Sequence, residues 1–447
     1  MKLETTTLRT CAALLLVAAC APARGAEDEP TYFLPQLLGA QYTLVDQHQD
    51  PLRSPYEEPL SLDAEGSTAR SHTFGLYLGV PLTRNLQFYF DEEMFKGEAV
   101  SGGTGLGGGA NGDVVHAGSQ NLGKRAYAAR HFVRYLVPLG DAVHPVEGAQ
   151  DQLAGSEPDR RLEFKLGKMA VSDDFDKSAY ANSSRTQFLN VALVNNVAWD
   201  FAADTRGYTN GAIIAYVEPT WALRYGLFQM PAEANGQSLV WPLTRARGEQ
   251  AELTVQPAPN SWVLRALVFR NIASMGVYRD AIAIAQANGT VPDIRADDKD
   301  GRRKYGYGLN GELPLADNGN TGLFARAGRN DGRNESFAFT EVDRTLSVGA
   351  QLSGAHWGRQ EDRAGLAIAV NALSHDHRDY LALGGSGFLL GDGALNYAQE
   401  RIFEAYYRVH VIAHVDLSPD FEFIRAPGYN ADRGPARFFA LRAHLEL

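Results

Sequence analysis

From about residue 37 to residue 447, apolar side chains recur at every second position in one segment after another. That period of two restricts the fold more than any other property of the chain. Phe74, Leu76, Leu78 and Val80 alternate with Thr73, Gly75, Tyr77 and Gly79; after the turn "PLTRN" come Leu86, Phe88 and Phe90 against Gln87, Tyr89 and Asp91. Successive side chains of an extended chain point to opposite faces, so each segment reads as a strand with one apolar face and one polar or glycine face. The C-terminal "RFFALRAHLEL" repeats the design, with Phe439, Leu441, Ala443, Leu445 and Leu447 on one side and Ala440, Arg442, His444 and Glu446 on the other. Sixteen such segments lie near residues 37–46, 71–80, 86–97, 125–137, 161–169, 206–217, 221–229, 250–256, 261–270, 304–314, 321–329, 344–354, 363–372, 401–411, 415–424 and 436–447.

Alternation alone suits either a soluble sandwich or a barrel in lipid, and the connections separate the two. "PLTRN", "EPTW", "PAPN" and "ADNGN" are tight turns, whereas 97–124, 172–205 and 271–303 are long. An even number of strands with short turns at one end and long loops at the other is the pattern of a transmembrane β-barrel. Trp221, Trp262, Tyr305 and Phe421 fall at strand ends, where an interfacial aromatic girdle would sit. The expectation is an all-β, antiparallel barrel of about sixteen strands, closed by pairing of the last strand with the first near Leu38 to Val45.

The start of the chain agrees. "MKLETTTLRTCAALLLVAACAPARG" places Lys2 and Arg9 before an apolar run from Cys11 to Ala19, which reads as a secretory leader. Cleavage after Gly25 and lipidation at Cys20 within "VAAC" are both open, and the first is taken here. The division is then a signal peptide at 1–25, an N-terminal segment at 26–36 and one barrel domain at 37–447. After the leader no apolar run reaches the roughly 18 residues of a membrane helix. Both cysteines, Cys11 and Cys20, belong to the leader, so neither a disulfide framework nor a thiol nucleophile is expected beyond it. A formal net charge of −11 disfavours nucleic acid as a partner.

Chemical motifs are weak. "GTGLGG" (Gly103–Gly108) has no helix behind it and reads as a flexible outer loop rather than a nucleotide site. "DDKDGRRKYGY" misses the first and last ligands of a calcium loop. His375 and His377 lack a third partner and read as a solvated loop; "GGSGF" fails as a nucleophile elbow. No catalytic constellation, metal site or cofactor site is expected, and an enzyme is not.

The inward face carries more. Arg130, Arg134, Arg161, Lys165, Arg224, Arg265, Arg326 and Arg408 stand with Asp91, Glu93, Glu163, Glu312 and Glu404 on faces read as facing the lumen. Guanidinium and carboxylate groups can each hydrogen-bond neighbouring hydroxyls of a sugar, and tyrosines can cover its CH faces. "TQFLNVALVNN" has a helical apolar spacing, and a packed loop element there would bring Trp199, Asp200, Asp204 and Arg206 to the lumen. "SMGVYRDAIAIAQANG" predicts a second short helix, with Ser274 as its N-cap and Gly289 as its stop.

The stretch from Gly167 to Gly236, together with "HRDYLALGGSGFLLGDG" and "APGYNADRGPARFFALRAHLEL", closely resembles the carbohydrate-selective porins of the OprB family. The resemblance runs from about Thr31 to the end. It implies a sixteen-stranded barrel in the outer membrane of a Gram-negative bacterium, passing monosaccharides such as glucose by facilitated diffusion through an eyelet narrowed by inward loops. Positive pore residues would favour sugars and small anions. The partners implied are permeating sugars, outer-membrane lipid and the outer-membrane assembly machinery, with monomer and homotrimer both open. The chain departs from the pattern in ending on Leu447 rather than an aromatic. A general small-solute porin is the alternative; a barrel enzyme and a secreted lectin-like protein are more distant ones.

Overall fold

The computed structural model describes residues 32–115 and 122–447; the leader, with the alternatives at Gly25 and Cys20, lies outside the described residues. The first strands are β1 (Leu37–Gln49), β2 (Ser67–Pro81), β3 (Leu86–Gly97), β4 (Tyr127–Pro138), β5 (Val143–Val146), β6 (Gly155–Pro158) and β7 (Arg161–Met169). Next come β8 (Thr209–Glu218), β9 (Trp221–Phe228), β10 (Arg247–Val255), β11 (Val263–Met275), β12 (Lys299–Ala316) and β13 (Thr321–Asn330). The last five are β14 (Arg344–Ser353), β15 (Arg363–Ala372), β16 (Glu400–Ile412), β17 (Val415–Arg425) and β18 (Ala436–Glu446). Three helices, α1 (Val191–Val194), α2 (Tyr278–Asn288) and α3 (His375–Ala382), lie in long connections.

All of these strands except β5 and β6 close one antiparallel barrel in chain order, with β4 paired directly to β7. Each of the sixteen alternating segments is one of its strands. The seam joins β1 to β18, with Tyr42 opposite Leu445 and Val45 opposite Arg442. Closure leaves no unpaired edge, which is what hydrocarbon demands of a sheet.

The two faces separate as the alternation requires. Leu76, Leu264, Val268, Leu309, Leu346, Leu366, Ile368 and Leu441 are exposed on the outer wall. A continuous apolar belt of this kind is an interface to an apolar medium, not to water. Trp221 and Trp262 stand exposed beside the short turns, as a girdle would. Phe421 does not: it lies in mid-β17, with its ring 5.1 Å from that of Phe439 and 6.4 Å from that of Phe403.

The inward face is less uniformly polar than its pattern suggests. Phe324, Ile402, Tyr406 and Phe438 pack against Phe188, Val191 and Leu193 of the connection 170–208. Phe132, Ile213, Phe228, Leu267 and Phe269 pack against Val171, Phe175, Trp199 and Phe201 of the same connection. That loop is therefore folded into the barrel and has a core of its own there. Two glycines make room for it, because a Cβ at either Gly308 or Gly328 would overlap the Asn196 amide.

Helix boundaries follow local rules with one difference. The Asn190 side chain accepts from the Ala192 N–H at the start of α1, and Gly289 ends α2 at φ 66°. Ser274 is not the cap of α2; it lies in β11, which runs on past the apolar belt, and Val277 precedes the helix.

Candidate functional site

β3, β4 and β7 lie side by side and turn a ladder of charges inward. The Arg134 fork donates to both oxygens of Glu163, at 2.8 and 3.0 Å, and also to Glu157. Arg161 lies 3.2 Å from Glu157 and 3.3 Å from Glu163. Lys165 reaches Asp174 at 2.7 Å. Arg130 is shared by Asp173 at 2.7 and 2.9 Å, Asp91 at 3.2 Å and Asp151 at 3.2 Å. Burial would raise the Asp173 carboxyl, but the Arg130 guanidinium against it holds it below the usual range.

Toward the long-loop end of the same arc a cavity of about 170 Å³ opens, lined among others by Glu93, Asp113, Tyr127, Arg185, Asp204 and Tyr208. Arg185 bridges Glu93 at 3.0 Å and Asp113 at 2.7 Å. The hydroxyls of Tyr208 and Tyr127 donate to Glu93 at 2.5 and 3.2 Å. Arg206 also lines the cavity, with its guanidinium 4.1 Å from the centre of the Tyr127 ring. Asp204 accepts from the backbone N–H groups of Arg206 and Tyr208, at 2.9 and 3.1 Å; burial pushes its carboxyl up and those two donors oppose the shift. Ring faces, guanidinium forks and carboxylates thus meet around one small space.

Other expected site residues are used differently. Arg326 is fully buried and donates to the Asp176 carboxylate at 3.0 Å, the Asp176 carbonyl at 3.1 Å and the Leu193 carbonyl at 2.9 Å. Glu404, also buried, accepts the N–H groups of Leu189 and Asn190 at 2.5 and 2.9 Å. Asp200 accepts from Phe337 and Ala338 at 3.0 and 2.7 Å and pairs with buried Lys304 at 3.0 Å. These three fasten connections to the wall. Trp199 is enclosed between Phe175 and Phe201, so its ring faces a core and not the lumen space. Arg265 bonds Glu312, whose other oxygen accepts from the Ala179 N–H at 3.2 Å. Arg224 makes one bond, to Thr254 at 3.3 Å, and Arg408 lies 3.7 Å from Asp416 near the short-turn end.

Sequence reasoning missed Arg185, Asp113, Tyr127 and Tyr208. Arg185 and Asp113 sit in irregular connections where no alternation marks an inward position. Tyr208 stands in the "RGYTNG" stretch, one residue before β8. Two motifs also differ from expectation. "GTGLGG" is no free outer loop: Leu106 is buried, the Gly107 N–H donates to Glu400 at 3.3 Å, and that of Gly105 donates to the Leu389 carbonyl at 2.8 Å. His377 is not solvated; it is the third residue of α3, fully buried, stacked 4.3 Å from Tyr278 and 3.1 Å from Asp343. The acids of "DDKDGRRKYGY" are occupied by ion pairs, Asp297 with Lys299 and Arg302, and Asp298 with Arg295.

A closed sixteen-stranded barrel with an apolar outer belt, a polar lumen and a long connection folded inside it defines a porin. The chain belongs to the family described as "Carbohydrate-selective porin, OprB family", whose model matches residues 68–447. Among solved structures, OprB of Pseudomonas putida at high pH is similar at 16% identity, covering 92% of this chain and 94% of that one, with a TM-score of 0.68. The outer-membrane channel DcaP of Acinetobacter baumannii covers 92% and 96% at 10% identity and a TM-score of 0.47. OmpF of Salmonella typhi, in complex with daunomycin, covers 92% and 97% at 11% identity and a TM-score of 0.44. No curated protein matches the sequence.

Proposed function

We propose that the chain is an outer-membrane channel through which small neutral sugars diffuse down their gradient, without chemistry. The observation that carries this reading is the cavity where Tyr127, Tyr208, Arg206, Arg185, Asp113 and Glu93 converge. A hexose needs hydrogen-bond partners for many hydroxyls and apolar cover for its CH faces, and these side chains supply both. Below the cavity the arginines of β4 and β7 are paired with acids. Paired charges leave little net field to hold an ion, yet their remaining lone pairs and N–H groups can exchange bonds with a passing hydroxyl. The solute is bound weakly at several points, as a conducting pore requires. The outer belt takes lipid.

Purified protein in liposomes should admit glucose faster than a non-sugar of equal size. Equal rates would reduce the protein to a general small-solute pore, and hydrolysis of a lipid or peptide panel would return an enzyme to consideration.

A further inference from the structure

Six of the seven connections at the short-turn end are brief: 82–85, 219–220, 256–262, 317–320, 354–362 and 413–414. The seventh, 139–160 between β4 and β7, is far longer and carries β5 and β6, which pair Val143 with Pro158 and Val146 with Gly155. The base of this hairpin is exposed at Val143 and His144. Its tip is not. Ala149 and Gln152 exchange two backbone hydrogen bonds, at 3.0 and 2.9 Å, around Asp151 at φ 59°, and this turn is folded back into the barrel.

Three residues of the tip, Gln150, Asp151 and Leu153, meet inward residues of the wall. Gln150 donates to Asp91 at 2.5 Å, Asp151 lies 3.2 Å from Arg130, and the Leu153 N–H donates to the Tyr89 hydroxyl at 3.1 Å. The Leu153 side chain is 5% exposed and shares an apolar cluster with Tyr89, Phe132, Val171 and Phe175. Glu157 accepts from Arg134 and Arg161 behind it. On Arg130 the hairpin meets Asp173, at the root of the loop 170–208 that descends from the other end. Two elements from opposite mouths of the barrel therefore close on one guanidinium.

Ion pairs, a buried leucine and an inward turn are more than a connection between neighbouring strands needs, since Pro138 and Arg161 are register partners that two residues could join. We propose that residues 139–160 form an exit plug, a second constriction that sets the size limit of the channel together with the loop 170–208. The proposal deepens the channel reading above and rests on it.

Three alterations test it in planar bilayers with potassium chloride and in liposomes with a mono-, di- and trisaccharide. Replacing residues 139–160 by Asn-Gly should roughly double single-channel conductance or more and admit the trisaccharide. Leu153→Asp, which places a charge in the apolar socket without shortening the chain, should act in the same direction. Asp151→Cys, labelled with a bulky thiol reagent, should lose conductance, whereas labelled His144→Cys at the exposed base should not. Parent-like conductance and size limit in a variant that still shifts on heating in a gel, or labelled Asp151→Cys conducting as before, overturns the plug. Because conductance is read with salt, a raised conductance without glucose preference would leave the plug standing and remove the sugar reading instead.

Discussion

On β3, β4 and β7 the inward arginines and acids bond each other across neighbouring strands, as Arg134 does with Glu163 and Arg130 with Asp91. On β13, β16 and β17 the same residue types turn to the loop 170–208: Arg326 holds Asp176 and the Leu193 carbonyl, Glu404 holds two backbone N–H groups, and Glu422 accepts from the Asn190 amide at 2.7 Å. One arc is a wall of mutually satisfied charges, buried at Asp91, Arg134 and Glu163 where the hairpin 139–160 meets it. The other is a mounting. An inward charge in this barrel is thus defined by where its partner sits: a partner on the neighbouring wall strand builds the charged arc, and a partner on the buried loop 170–208 commits the charge to architecture.

The sharpest way to break that division is Asp176→Ala, which strands the Arg326 guanidinium in a buried site. Removing one member of a buried pair costs about 3–5 kcal/mol, so the heat-induced gel shift should move to clearly lower temperature; an unchanged midpoint would end the mounting reading. Glu404→Ala is next. It leaves two buried N–H groups without an acceptor, at roughly 1–3 kcal/mol each, and should make single-channel currents noisier while ion preference stays as in the parent.

The charged arc should answer the other way. Arg130→Ala ought to shift the reversal potential toward cations by several-fold in permeability ratio, with a smaller stability change than Asp176→Ala; the opposite ranking would merge the two arcs into one. pH gives a finer test. Burial pushes the Asp151 carboxyl up to about 7; Asp91 and Asp173 add to the shift, while Arg130 and Lys165 oppose it. A carboxyl raised in the seated hairpin favours seating fully below its free value and loses that contribution as pH rises through about 7. Conductance should therefore climb between about pH 4 and pH 7 and level off above, and Asp151→Asn should flatten the curve. The smallest effect is expected from Arg224→Ala, whose single bond to Thr254 predicts a change within about 0.5 kcal/mol and leaves any altered sugar flux attributable to the lumen surface.

The barrel was legible because a period of two survives any context: lipid on one side imposes it residue by residue, and all sixteen segments keep it. The inward register of Arg130, Arg134, Glu163 and Lys165 came from the same count. Their partners did not. Glu157 and Asp151 sit in a hairpin whose short strands contain Pro145, Pro158 and Gly155 and show no alternation. Arg185 lies in "NSSRTQF", where nothing local marks a lumen contact. Trp199 and Asp200 are buried against loop 331–343 and away from open space, through a contact that spans more than a hundred residues of sequence and that no local pattern marks. Phe132, Phe228 and Phe324 point inward against the simple polar rule because a folded loop, not water, meets them.

The seam between β1 and β18 has a kinetic side. Thr43 and His444 touch at 2.9 Å although 401 positions separate them in sequence, and Ala40 and Leu447 exchange backbone hydrogen bonds at 3.2 and 2.9 Å. Bringing such distant ends together costs about 5 kcal/mol of loop entropy, more than any hairpin in the wall. Every other barrel strand can zip onto the barrel strand before it in the chain, but this junction must wait for the whole sheet to curl. Refolding should therefore show hairpin-level protection of amides well before Thr43, Val45 and Leu445 become protected, so the last stitch sets the pace of the barrel.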